Sequence, residues 1–360
     1  MRSPFFALAA FAVIIGASLF ASTSTADACA GLIGSNGAVN LGRTTTLAAY
    51  HDGNEHYVTS FEFEGTGGGQ FGTLIPLPGI PSNVEKGGAW TLQRLIRETT
   101  PIAPSTGRVL SATAASDKAE VLIEKKIDAL NITVLKGGGA DVAAWAQEHG
   151  FRLSPDAPEM LDFYAQRSPI FLAAVFDGSA AKERGQKAGD GTPVHLTIPT
   201  DNPWVPLRIL GLGKQAGDEV QADVFLLTDK TPRLLPGARA GLTRPYSASA
   251  SKSLLSDLRS DTGMGWVPET AWLTKISINS KVSLLSYDLA VDADGNDPPS
   301  AVAAGLQSPE RLTAPAYSFV SGEVSGSSQA RVTWIVLVGL GLALTAAILL
   351  TERRTRTVRK

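Results

Sequence analysis

The feature that most constrains the fold is an apolar run near the C-terminus, which begins at Val332, ends at Thr351 and contains no ionisable side chain. At about 1.5 Å of rise per residue, a helix of this length spans roughly 30 Å, the thickness of a bilayer's hydrocarbon core. A helix also satisfies its own backbone polar groups in lipid. The run therefore predicts one transmembrane helix, with a buried helix of a large globular core as the alternative.

The two chain ends predict an orientation for this helix. Residues 352–360 form a tail rich in Arg and Lys, which favours the cytoplasmic side of a membrane. Residues 1–28 have the basic start, apolar stretch and final Ala-Asp-Ala typical of a signal peptide, with an uncleaved N-terminal anchor as the alternative. We therefore predict a single-pass protein of the cell membrane, with its N-terminal domain outside the cytoplasm and its C-terminus in the cytoplasm.

Cys29 follows the predicted cleavage point and is the only cysteine in the chain. An exported domain with one cysteine has no internal disulfide, so an ordinary apolar core must hold it together. Whether Cys29 is lipidated or free stays open at this point. The net charge of −2 and the lack of a basic cluster outside the tail also argue against a nucleic-acid partner.

Residues 29–291 contain many short β-prone segments interrupted by a few helical ones. This pattern predicts an α+β fold, with a single mixed or antiparallel sheet and two or three helices. Within it, a β-hairpin is predicted around the turn 52–54, a helix around Trp145 and a buried strand at residues 170–176. Residues 292–331 are rich in Ala, Pro, Gly and Ser, which predicts a flexible stalk leading to the membrane.

Several stretches resemble a bacterial family known as domain-of-unknown-function family 2330. They are residues 132–151 with the strand at 170–176, the cysteine after the signal peptide, the Ile-Pro-Leu-Pro at 75–78 and the Pro-Leu-Arg at 206–208. The likeness extends from Cys29 to about Asp229. It implies an exported, often membrane-tethered domain and implies no activity. Where the family usually has Asn-Gly-Tyr, this chain has His149-Gly150-Phe151, so no role for that amide is carried over.

The strongest candidate for chemistry is the stretch 51–56, in which His51, Asp52, Glu55 and His56 provide four possible metal ligands. If the hairpin forms, the two histidines flank its turn and approach each other on one side. The alternative is a solvated hairpin tip, in which Asp-Gly-Asn serves the turn geometry alone. We expect the second, and therefore predict no metal and no cofactor.

Two other loops have part of a binding motif. Residues 292–297 begin like a calcium loop but lack its glycine at the sixth position and its glutamate at the twelfth, so a plain acidic turn is expected. Residues 67–72 match a glycine-rich nucleotide loop in form, but the next residues are not helical. No nucleophile motif is present, so the sequence leaves any catalytic residues unknown.

Together these features favour a non-catalytic binding domain at the cell envelope, with an unidentified envelope protein or ligand as its partner. The alternative is an exported hydrolase or metal-dependent enzyme. A cluster of His, Asp and Glu in a deep pocket would favour the enzyme, whereas a shallow apolar surface would favour the binding domain.

Overall fold

Three sheets and four α-helices make up the part of the chain that the structure describes. The structure is a computed structural model, which describes residues 31–34, 44–61, 71–100, 120–177, 180, 183–185 and 191–309. The strands are β1 (Gly31–Gly34), β2 (Thr44–His51), β3 (Asn54–Phe61), β4 (Phe71–Leu77), β5 (Asn83–Lys86), β6 (Glu120–Ile127), β7 (Leu130–Lys136), β8 (Ile170–Phe176), β9 (Thr192–Pro199), β10 (Trp204–Val205), β11 (Glu219–Thr228), β12 (Arg233–Leu235), β13 (Leu242–Ser249), β14 (Trp272–Lys281) and β15 (Leu289–Asp292). The helices are α1 (Thr91–Thr99), α2 (Gly139–Glu148), α3 (Ala157–Ala165) and α4 (Lys252–Ser260), with short 3-10 helices at Arg208–Gly211 and Val282–Leu284.

The largest sheet has seven strands in the order β13-β14-β11-β2-β3-β9-β5. Its neighbours are antiparallel except β2 and β11, which run parallel. A five-stranded sheet has the order β1-β4-β8-β7-β6 and is antiparallel throughout. A small third sheet has the order β10-β15-β12. β12 is therefore an outermost strand of this sheet, as β13 is of the seven-stranded sheet.

The two large sheets face each other across the main core, and helices cover their outer faces. Because side chains alternate along a strand, each sheet contributes to two cores. Leu196 and Val224 of the seven-stranded sheet pack with Leu172 of the five-stranded one in the main core. The helices α1 and α4 pack on the outer face of the seven-stranded sheet, and α2 and α3 on that of the five-stranded sheet. The result is four layers: helices, sheet, sheet, helices.

The predicted hairpin is confirmed as β2 and β3. Its turn consists of Asp52 and Gly53, with φ of +49° and +74°, and His51 pairs with Asn54 across it. Two successive residues with positive φ match the right-handed twist of the strands, and Asp-Gly is a pair that tolerates them. The turn chemistry in the sequence therefore sets the register of the centre of the sheet.

The predicted helix around Trp145 is also confirmed, as α2. Trp145 is fully buried and packs with Leu135 and Phe171 of the five-stranded sheet. Strand β8 is buried at every position, as its continuous apolar sequence indicates.

The predicted fold class is wrong. We expected an α+β domain with a single sheet, whereas the structure is mostly β, with several sheets and four helices in the described residues. The alternation of apolar residues identified individual strands, but it does not say which strands share a sheet. Segments such as β4 and β8, which we placed in one sheet with β2 and β3, form a second sheet stacked on the first.

The structure also contradicts the predicted membrane anchor, and with it the single-pass cell-membrane location. Among the helices that the structure describes, none is long and apolar enough to cross a bilayer. The segment predicted to span, from Val332 to Thr351, lies outside the described residues, as do the signal peptide and the basic tail. The first part of the predicted stalk is packed against the body: Ala303 and Ala304 are buried, and the carbonyl of Ala303 accepts a hydrogen bond from Arg167.

Candidate functional site

The four residues predicted as possible metal ligands are separated by the hairpin. Asp52 is at the exposed tip, and the Nδ1 atom of His51 lies 2.8 Å from a carboxylate oxygen of Asp229. Glu55 points to the inner face of the sheet, and His56 to the outer face. Alternation along β3 explains the split, because adjacent residues of a strand face opposite sides.

Glu55 is a carboxyl group with no exposed surface. Neither of its oxygens accepts a hydrogen bond from the described residues, and the Tyr50 hydroxyl interacts with it without reaching hydrogen-bond geometry. Burial raises the pKa of Glu55 well above its usual value, which favours the neutral form of this carboxyl in the folded protein.

His56 belongs to a chain of three polar side chains on the outer face of the seven-stranded sheet. Its Nδ1 atom lies 3.0 Å from Nε2 of His195 on β9, and Nδ1 of His195 lies 3.1 Å from a carboxylate oxygen of Glu85 on β5. With both rings neutral, His195 donates to Glu85 and accepts from His56. Both histidines are nearly buried, whereas the Glu85 side chain is 40% exposed.

Trp266 covers this chain. Its ring is stacked on His56, with centroids 3.8 Å apart and planes 5° apart. Burial, with the neighbouring His195 and His51, lowers the pKa of His56 to about 4. Burial also lowers the pKa of His195, although Glu85 opposes the shift. At neutral pH the pair is therefore uncharged, and each ring has one nitrogen that donates and one that accepts a hydrogen bond.

Nothing in the described residues assembles the other predicted sites. No group of three or more His, Cys, Asp or Glu side chains in this part of the chain is placed to hold a metal ion. Asp292 ends β15, and its carboxylate accepts the backbone N–H of Asp297, which makes residues 292–297 a closed acidic turn. Cys29 and most of the glycine-rich stretch 67–72 lie outside the described residues.

A cleft of about 460 Å³ opens elsewhere, where the edge of the seven-stranded sheet meets the three-stranded sheet. Its walls come mainly from β12, from β13 and from the segment between them, together with residues 298 and 299. Leu234, Leu242, Ile276 and Leu289 provide apolar surface, and four prolines line it: Pro232, Pro236, Pro298 and Pro299.

Arg233 and Arg244 are the only charged side chains among the described residues that line this cleft. Both are exposed, and neither forms an ion pair within the part of the chain that the structure describes. The lining contains no His, Asp, Glu or Cys among those residues, so the histidine chain and the cleft are separate.

Sequence reasoning missed both features. His195 and Glu85 are far from His56 along the chain, and only the pairing of β3, β9 and β5 brings them together. A signal for the cleft was present in residues 232–244, which combine two prolines and three arginines with no acidic residue. Such a stretch between strands is typical of an exposed, basic loop.

Compared with known protein families, curated proteins and solved structures, the chain matches none of them. The resemblance to domain-of-unknown-function family 2330 therefore stays a prediction, and function has to be argued from the geometry.

Proposed function

We propose that this protein is a non-catalytic binding module, which takes an extended polypeptide segment into the proline-lined cleft between β12 and β13. The observation that carries the proposal is the cleft itself, with about 460 Å³ of space, an apolar floor and two unpaired arginines at its rim. Its volume lies within the range of sites that enclose a ligand or a short stretch of chain.

The walls of the cleft suit an extended partner. Two outermost strands, β12 and β13, line it, and extended peptides are commonly recognised beside such strands. Direct addition to the edge of β13 is hindered, because this strand contains Pro245 and its pairing shifts between Thr243 and Tyr246. The partner is therefore expected to lie in the cleft and to use side-chain contacts with the apolar floor.

The lining also argues against hydrolysis at this position. General acid–base and nucleophilic catalysis draw mostly on His, Asp, Glu, Cys, Lys or an activated Ser or Thr, and among the described lining residues only Thr243 belongs to that set. The histidine chain is too far away to activate it. Three strands separate β13 from β3, which places the two strands roughly 19 Å apart at about 4.8 Å per strand, and His56 faces the opposite side of the sheet.

An acid–base enzyme is the second candidate, and one observation favours it. The chain from Glu85 through His195 to His56 is arranged as in sites where a carboxylate orients a histidine that transfers protons. No nucleophile bonds to His56 in the described residues, which is why we place this candidate second.

A phage-displayed library of random octapeptides, selected on the immobilised full chain, tests the binding proposal. We expect enriched clones whose binding is lost in Ala238→Trp, because this exposed residue of the segment between β12 and β13 lines the cleft and a tryptophan there would narrow it. Thr100→Trp is the matched control, since Thr100 is exposed at the end of α1 on the other face of the sheet. Failure to enrich any clone, or clones that bind Ala238→Trp as well as wild type, would overturn the proposal.

A further inference from the structure

The segment that forms one side of the cleft is strongly basic. Residues 230–244 contain one lysine, three arginines and no acidic residue. Lys230 pairs with Asp294 at 3.5 Å, and the guanidinium of Arg239 lies 4.8 Å from the centre of the Tyr287 ring. These two cations therefore have partners within the protein, which leaves Arg233 and Arg244 as the positive charges that face the cleft.

The carboxylate opposite Arg233 in the strand pairing forms no ion pair with it. Asp292 stands directly opposite Arg233 in the pairing of β12 with β15. Its carboxylate accepts the N–H of Asp297 at 3.0 Å and forms no ion pair with Arg233 within 4 Å among the described residues. Asp292 is not among the described residues that line the cleft, so the two charged side chains of this lining, Arg233 and Arg244, are both positive.

We propose that the segment bound in the cleft is acidic, with carboxylates that pair with Arg233 and Arg244 while its apolar side chains meet Leu234 and Leu289. This inference rests on the proposed function, because it assigns the chemistry of the partner at the same site. Charge complementarity carries it, since an exposed guanidinium with no internal partner presents its planar set of donors to a carboxylate.

The position of the two arginines adds a constraint on the partner. Arg233 belongs to β12 and Arg244 to β13, so they extend from two different walls of one cleft. In an extended chain successive side chains point to opposite sides. A partner that alternates acidic and apolar residues can therefore place the acidic ones at the rim and the apolar ones on the floor.

Peptides from the octapeptide selection test the inference on the full chain. We expect the enriched clones to contain more Asp and Glu than the starting library, and a synthetic peptide from them to bind less tightly as the salt concentration rises. Replacing its acidic residues by Gln and Asn should weaken binding about tenfold or more, because each ion pair contributes charge-assisted hydrogen bonds.

Variants of the chain locate the charges. Arg233→Ala and Arg244→Ala should each weaken the acidic peptide about tenfold and leave its neutral analogue unchanged. The double variant Arg233→Glu with Arg244→Glu should reverse the preference and select Lys-containing and Arg-containing clones. Arg97→Ala is the matched control, because Arg97 is exposed on α1 at the opposite face of the sheet and should change nothing.

The outcomes separate the inference from the proposed function. Cleft-dependent clones without enrichment of acidic residues, or acidic peptides that bind the arginine variants as tightly as wild type, would overturn the inference and leave the binding module standing. If no clone depends on the cleft, the proposed function fails and the inference fails with it.

Discussion

The carboxyl of Glu55 shows how an ionisable side chain is tolerated inside this protein. It lies on the core side of β3 with no exposed surface and no hydrogen bond from the described residues. An ionised carboxylate in such a place would cost several kcal/mol, so burial favours the protonated form and raises the pKa of Glu55. The free energy needed to keep this carboxyl protonated depends on the pH of the solution.

We predict that Glu55→Gln raises the stability of the folded protein, and that the gain grows with pH. The pKa of Glu55 is raised on folding, so the folded state holds a proton that the unfolded state releases. The free energy of unfolding of wild type therefore falls as the pH rises above the unfolded value of about 4.3. Gln keeps the size of the side chain and removes this titration.

Urea unfolding across the pH range measures the effect of Glu55→Gln. Glu219→Gln is the control, because Glu219 is exposed at the start of β11 and should follow wild type. A Glu55→Gln protein whose stability falls with pH as steeply as that of wild type would contradict the argument.

At the scale of elements, His56 and His195 link β3 to β9, and the segment that contains Trp266 packs over both rings. The hydrogen bond between His56 and His195 needs one ring nitrogen as donor and the other as acceptor. A proton on each ring removes the acceptor and places two positive charges side by side. Among the described residues, His51 on β2 acts on the charge of His56 and Glu85 on β5 bonds to His195, while Arg259 and Asp261 bond to the backbone on either side of Trp266.

We predict that this contact loses its stabilising effect in acid. The pKa of His56 is lowered to about 4, so the folded state binds fewer protons than the unfolded state below about pH 6.5. The stabilisation is complete above that pH and is lost as the pH falls towards 4. His56→Phe keeps the stacking on Trp266 without the titration, so its melting temperature should fall less between about pH 7 and pH 5. Equal slopes for the two proteins would rule out this role.

Helix α1 begins without a capping side chain of its own, because Trp90 precedes it. Asp261, from the segment after α4, takes this role: its carboxylate accepts the N–H groups of Trp90 and Thr91, both at 2.9 Å, and the Thr91 hydroxyl at 2.8 Å. The negative charge also lies at the positive end of the helix.

We expect Asp261→Ala to cost about 2 kcal/mol, the upper end of the range for helix caps, because the donors it leaves are buried. Asp257→Ala is the matched control. Asp257 pairs with Arg94 on the surface and is 45% exposed, so its loss should cost less than about 1 kcal/mol. Chemical denaturation compares the two, and equal losses would mean that Asp261 is not an effective cap.

Local signals in the sequence predicted elements well and their arrangement poorly. The turn at Asp52 and the helix around Trp145 depend on neighbouring residues, and both were predicted. The pairing of β2 with β11 is non-local, and the sequence of neither strand specifies which strand it pairs with. The same reason hid the contact of His56 with His195, which are 139 residues apart.

At the scale of the whole molecule, one buried carboxylate ties α3 to the C-terminal third of the described chain. Asp288 has no exposed surface, and one of its oxygens accepts hydrogen bonds from the Tyr164 hydroxyl and from the backbone of Leu207 and Arg208. Its other oxygen pairs with Arg167, which is only 3% exposed. Both oxygens of the Asp288 carboxylate have partners, which makes the burial of the two charges tolerable.

Asp288→Ala should be strongly destabilising, by about 3–5 kcal/mol, because it leaves the Arg167 guanidinium buried without a counter-charge. Glu159→Gln is the control, since Glu159 pairs with Arg208 at the surface, is 68% exposed and should cost less than about 1 kcal/mol. Thermal unfolding distinguishes them, and an Asp288→Ala protein that melts with the control would show that the network is dispensable.

The parallel pairing of β2 with β11 has a consequence for how the chain is made. β2 can pair with β3 at once, but its other neighbour begins about 170 residues further along. At about 5–20 residues per second, synthesis leaves that side of β2 without its partner for roughly 10–30 s. During this time a strand that is buried up to Tyr50 in the finished protein has an unpaired edge, so misassembly and chaperone binding compete with folding while the chain is being synthesised.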